Sequence, residues 1–236
     1  MPTETVWRLR GSLPSPPTFD QLHGALARSL DTVGHRDQDK GWALRPLTVL
    51  APDAYLMTFV TMNGPPPVPP AGGRIRLGRR ALDVRAERVH HTTWQQLREV
   101  RPLRSVRFVF ESPTFISRNG GRHLPLPDPE RVFGGLARRW NLHAPEEFGL
   151  PTARVTALLD AVEVVDHEIA CTQVPGSDRP DGPPPRRGFV GGVRFKLHRP
   201  RQPDVARDFA ALAQFATLAG VGAETTHGFG TVTLVR

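Results

Sequence analysis

The chain has 236 residues, enough for one large domain or two small ones, and 39% of them are hydrophobic, as in a globular protein. Lys and Arg number 31 against 23 Asp and Glu, and the net charge of +8 points to an anionic partner. One cysteine, Cys171, excludes an intramolecular disulfide and a cysteine-based zinc site; the absence of a long apolar run or signal-like N-terminus makes a cytoplasmic, membrane-free protein the expectation.

Along Glu4–Gly11, Trp7 and Leu9 alternate with Arg8 and Arg10, the pattern of a half-buried strand. Thr18 and Gln21 have capping-box spacing, and Phe19, Leu22, Leu26, Leu30 and Val33 share a helical face that ends at Gly34. His35 leads the polar segment that follows. Residues 44–50 read as a strand containing Arg45-Pro46-Leu47-Thr48, and Tyr55–Met62 as another. After a proline-rich loop at Gly64–Gly73, Arg74–Val89 reads as one or two basic strands, and His91–Val100 as helical at best.

A domain boundary is expected at 102, giving domains 1–102 and 103–236. The first carries 14 basic and 9 acidic residues and the second 17 and 14, so both are basic. Ser105–Glu111 restarts a strand. Asp128 before Pro129 makes a helix start, and Val132, Phe133, Leu136 and Trp140 give that helix a face. Glu163–Val174 reads as a strand, Pro175–Gly188 as a loop holding Arg186 and Arg187, and Val193, Phe195 and Leu197 alternate with basic residues in a further strand. Strand, helix, strands, helix, strand in each half predicts an α+β protein of two tandem ferredoxin-like, RRM-like βαββαβ domains with a C-terminal glycine-rich loop.

That loop is Gly220-Val-Gly222-Ala-Glu-Thr225-Thr226-His227-Gly228-Phe-Gly230. Val205, Phe209, Leu212, Ala216 and Ala219 mark a helix running into it, and a strand runs out of it from Thr231 to Val235. Its glycines allow positive φ and close backbone approach, which suits a polyanion. A dinucleotide fingerprint is excluded, because the order is helix, glycines, strand, with no room for a further unit.

Helix, Gly-x-Gly, a small polar cluster, Gly-Phe-Gly and a short last strand resemble the C-terminal signature of the CRISPR-associated endoribonucleases that cut repeat RNA, within the wider RAMP superfamily. Arg45-Pro46-Leu47-Thr48 after a helix and a histidine is similar to that family's Lys-Pro-Phe-Thr motif, with Arg for Lys and Leu for Phe. Ser112-Pro113-Thr114, Pro127-Asp128-Pro129 and Arg139-Trp140-Asn141 resemble it in the second half. The resemblance implies CRISPR repeat RNA or crRNA as partner, and leaves open other interference-complex subunits and a homodimer. It also implies cleavage of precursor CRISPR RNA within the repeat, giving 2′,3′-cyclic phosphate or 3′-phosphate and 5′-hydroxyl ends. The alternative is a RAMP-type subunit that holds crRNA without cutting it.

Such cleavage runs without metal when the RNA's own 2′-hydroxyl attacks the adjacent phosphorus and the protein moves protons and stabilises charge. Histidine titrates near neutrality and serves either transfer. His35 stands where the resemblance places the catalytic histidine, with Lys40 a charge-stabilising candidate; His23, on the helix, reads as a packing residue. Arg36, Arg45, Arg186, Arg187, Gly220, Gly222, Thr225, Thr226, His227, Gly228 and Gly230 are the RNA-binding candidates. No His-Glu-x-x-His pattern or carboxylate cluster suggests a metal, and no cofactor is expected.

Overall fold

The computed structural model describes residues 1–30, 40–118, 122–174, 184–199 and 203–235. The chain divides into two compact units, residues 1–93 with 224–228, and residues 94–223 with 229–236.

The first unit is built from β1 (Thr3–Arg10), α1 (Phe19–Leu30), β2 (Trp42–Leu44), β3 (Thr48–Ala51), β4 (Ala54–Thr61), β5 (Arg74–Leu77) and β6 (Arg80–His91). Its antiparallel sheet has the order β2-β4-β1-β6-β5, with β3 also on β4. Ignoring β3 and β5, this is the ferredoxin-like order. The second helix of that pattern is missing here: the proline-rich loop and β5 occupy the chain between β4 and β6, since five prolines within residues 65–70 cannot supply helical N–H donors. The strand expected over 44–50 is divided by Pro46 into β2 and β3.

At the start of α1 the capping box closes in both directions. Gln21 N–H donates to Thr18 Oγ1 at 3.3 Å, and Thr18 N–H to Gln21 Oε1 at 3.1 Å. Leu22 and Leu26 of α1 are buried with Trp7, Leu9, Trp42, Met57, Phe59 and Leu82, so α1 covers one sheet face. The even-numbered residues of β1 point to the other.

The second unit contains α2 (Trp94–Arg98), β7 (Ser105–Thr114), the small hairpin β8 (Ile116–Arg118) and β9 (Arg122–Leu124), α3 (Pro129–His143), α4 (Thr152–Leu159), β10 (Val162–Val174), β11 (Arg186–Leu197), α5 (Pro203–Ala219) and β12 (Val232–Val235). Its sheet order, β10-β11-β7-β12, is the complete ferredoxin-like arrangement. The Asp128 carboxylate accepts from Arg131 N–H at 2.9 Å with Pro129 in the first turn, which fixes the start of α3. Phe108, Phe133, Phe195 and Phe209 pack from β7, α3, β11 and α5 into one aromatic core.

The units meet in sequence between Thr93 and Trp94, where the sequence suggests 102. Trp94 accounts for the difference, because its ring lies 5.1 Å from Trp140 and 5.6 Å from Phe215 in the second unit's core. Arg98 ties α2 to the same unit through Asp208, at 2.6 Å. Asp208 is buried and also meets Arg154 at 3.0 Å. Burial pushes its carboxyl above the ordinary range, against the hydrogen bond from Arg98 and the charge of Arg154.

Candidate functional site

The first unit gathers two histidines that are 204 positions apart in sequence. His23 lies on the face of α1 beside β2, and His227 is in a 3-10 turn, Thr225–His227, of the glycine loop. Their rings stack at 3.9 Å with planes 3° apart, and His23 also stacks on Trp42 at 5.2 Å. His23 Nδ1 lies 3.1 Å from the Thr226 carbonyl oxygen. A carbonyl only accepts, so Nδ1 carries a hydrogen and the neutral ring has its lone pair on Nε2. His227 Nε2 is 3.8 Å from Asp20 Oδ1, and its Nδ1 is 3.4 Å from Thr226 Oγ1.

Lys40 adjoins this cluster. It is only 7% exposed, and its ammonium lies 6.0 Å from the Trp42 ring centroid, at the outer limit of a cation–π contact. Arg45 Nη2 meets Glu4 at 2.6 Å, and Glu4 also meets Arg88 at 3.2 Å. Thr225 is buried and Thr226 half-buried. His35 and Arg36, with the helix end expected at Gly34, lie outside the described residues.

The turn that presents His227 depends on left-handed backbone at both ends. Glu224 has φ 55° and Gly228 φ 95°, and the Gly228 N–H donates to Thr225 O. Glu224 is thus one of two non-glycine residues with positive φ among those described.

In the second unit Gly220, Gly222 and Gly230 also take positive φ. Their immediate reason is packing. A Cβ on Gly222 would come within 2.5 Å of the Phe115 carbonyl oxygen, and one on Gly230 would collide with the Val221 carbonyl. Ser112 Oγ accepts from Thr231 N–H at 2.9 Å, Gly230 N–H donates to Pro113 O, and Ala223 N–H to Phe115 O, so the Ser112-Pro113-Thr114 stretch anchors the loop. The Arg139 guanidinium donates to Ala219 O at 2.6 Å, filling a carbonyl left open at the end of α5.

Arg186 and Arg187 are not in a loop. They open strand β11, opposite Val174 and Gln173 of β10, because β-pairing with β10 extends to Arg186. Arg187 is exposed, whereas Arg186 lies 5.0 Å from the Phe115 ring and 5.4 Å from Phe229. Trp42 and Asp20 were not among the sequence candidates. Trp42 carries a readable signal, a lone aromatic after a glycine at the mouth of the His35 segment; Asp20 reads only as a helix-start acid.

Among the described residues, no group of three or more His, Cys, Asp or Glu side chains is arranged to hold a metal ion, and no helix is long and apolar enough to cross a membrane.

The model of the CRISPR-associated endoribonuclease Cas6 family matches residues 108–232, more than half of the chain. The chain belongs to the Cas6 endoribonuclease family. No curated protein matches the sequence. Among solved structures, a Cas6 product complex from Thermus thermophilus is 22% identical, with each chain covered completely and a TM-score of 0.75. A second Thermus Cas6 product complex is 25% identical over 99% of this chain and 100% of its own, at TM-score 0.76. A Cas6 substrate-mimic complex is 26% identical over 99% of both chains, at TM-score 0.72. These likenesses span both ferredoxin-like units, so the tandem architecture is that of Cas6 enzymes.

Proposed function

We propose that this Cas6 chain cleaves precursor CRISPR RNA within its repeat, without a metal ion, by attack of the 2′-hydroxyl on the adjacent phosphorus. The 2′-oxygen loses its proton to a base as it bonds to phosphorus; the 5′-oxygen leaves and takes a proton from an acid. The products are a 2′,3′-cyclic phosphate, which can open to a 3′-phosphate, and a 5′-hydroxyl end. His35 carries proton transfer, on the strength of its place after α1 and before Arg45-Pro46-Leu47-Thr48. Lys40 stabilises charge on the phosphoryl oxygens, and the glycine-loop residues Thr225, Thr226 and His227 contact the RNA.

The observation that carries this reading is the His23–His227 stack against Trp42, beside buried Lys40. It gathers two imidazoles and an ammonium around Trp42, and such groups suit proton transfer and anion stabilisation. Relatives solved with product and with substrate mimic support RNA as the ligand. Labelled repeat RNA incubated with the protein in excess EDTA tests the proposal: cutting should persist, and a 2′-deoxy nucleotide at the scissile position should stop it while leaving binding intact. Activity lost to chelation and restored by Mg²⁺ would overturn metal independence. Binding without any cutting would instead favour the crRNA-holding subunit.

A further inference from the structure

The sheet face of the first unit that α1 does not cover is crowded with arginine. Trp7 and Leu9 point into the core, so Arg8 and Arg10 point away from it. The register carries this face across the sheet: Arg8 lies opposite Arg85, Arg10 opposite Asp83, Arg74 opposite Asp83 and Arg76 opposite Ala81. After the bulge in β6, Arg88 opposite Val6 joins the same face. Six arginines on three adjacent strands therefore share one surface.

Three acids answer them. Glu87 meets Arg8 at 2.6 Å, Glu4 meets Arg88 at 3.2 Å, and Asp83 meets Arg74 at 3.6 Å. Arg10, Arg76 and Arg85 are exposed, and no described carboxylate is within ion-pair distance of any of them. Like charges directly opposite in a ladder are destabilising; Glu87 offsets the charge of Arg8, and an anion lying beside Arg85 would offset the other. Neighbouring strands are about 5 Å apart and alternate residues about 7 Å apart along a strand, which spaces these guanidiniums for successive phosphates rather than for one small anion.

We propose that the exposed part of this face, centred on Arg10, Arg76 and Arg85, is a phosphate-backbone track for single-stranded RNA flanking the cleaved segment. The proposal rests on RNA being the ligand, as in the preceding section, but not on the chain cutting it. The track lies on the opposite sheet face from Trp42 and the stacked histidines, so it adds affinity and leaves the chemical step alone. Arginine forks grip phosphate oxygens in pairs and read no base, so the track is sequence-tolerant.

The test compares the full-length protein with its Arg10→Gln/Arg76→Gln/Arg85→Gln variant, whose changes are all at exposed positions. Affinity is measured against salt for the complete repeat with its flanks and for a short RNA covering the cleavage site alone. Neutralising about three phosphate contacts should make the log–log salt slope for the long RNA shallower by about two and weaken binding at low salt at least about tenfold. Short-RNA affinity and the single-turnover rate at saturation should not change. The triple Arg→Lys variant, which keeps the charges, should retain the wild-type slope. An unchanged slope with the long RNA overturns the track whether or not the protein cuts; a shifted slope in a protein that does not cut upholds the track and rejects the cleavage reading. Equal losses on long and short RNA would also overturn it, by moving the contacts to the cleaved segment.

Discussion

His35 and His23 have different roles, one in proton transfer and one in packing, and substitution can separate them. His35→Ala should lower single-turnover cleavage at least about a hundredfold, the usual scale for a positioned acid or base, with RNA affinity little changed. His23→Ala removes the stack on His227 and Trp42 and the bond to Thr226 O, so its principal cost should be stability, about 1 kcal/mol in a urea titration. If His23→Ala stops cutting while His35→Ala does not, the roles are reversed. Asp208 offers a second residue-scale test: Asp208→Ala strands Arg98 and Arg154, and should cost about 3 kcal/mol, seen as a lower urea midpoint with unchanged m-value. Its wild-type carboxyl holds its proton more tightly folded than unfolded, so this group's contribution to stability is greatest at low pH. That contribution falls as pH rises from the unfolded pKa towards the raised folded one.

The glycine loop is an element whose parts answer to different demands. Gly230→Ala drives a methyl into the Val221 carbonyl and should prevent folding. Gly228→Ala meets Phe19 and Arg45 only at ordinary distances, 3.6 and 3.7 Å, so the cost is its φ of 95°, about 1–2 kcal/mol in a urea titration. Gly228→Ala is therefore the variant in which RNA affinity can be measured on folded protein, and Gly222, packed on Phe115 O, is not. The positive φ of these glycines was legible in the sequence, because no other residue is so tolerant of that backbone. The partners that demand it were not, since Phe115 is more than a hundred positions away from Gly222. Likewise the capping box and the Asp128-Pro129 start are local chemistry and could be read directly. The loss of a second helix in the first unit, the exit of α2 to the other unit and the extension of β11 back to Arg186 depend on long-range packing that periodicity does not encode. The same applies to the site: His23 and His227 are each one of nine histidines until the fold stacks them.

At the scale of the whole molecule, the basic charge spread over both halves predicts RNA affinity that falls steeply with salt; doubling the ionic strength in a filter-binding assay should weaken it severalfold, and a flat response would argue for apolar recognition. The discontinuous make-up of the first unit has a further consequence for biosynthesis. Residues 224–228, which carry His227 and the carbonyl that orients His23, are translated after all of residues 94–223. The first unit therefore emerges from the ribosome with His23 and Trp42 lacking their last neighbours. It must wait, incomplete, while the second unit's helices and three of its four sheet strands are made. An order in which the first unit is finished only by a late-arriving strap makes the histidine stack a record that residues 224–228 have been made: a chain terminated before them would lack the stack and would be unable to assemble the RNA site.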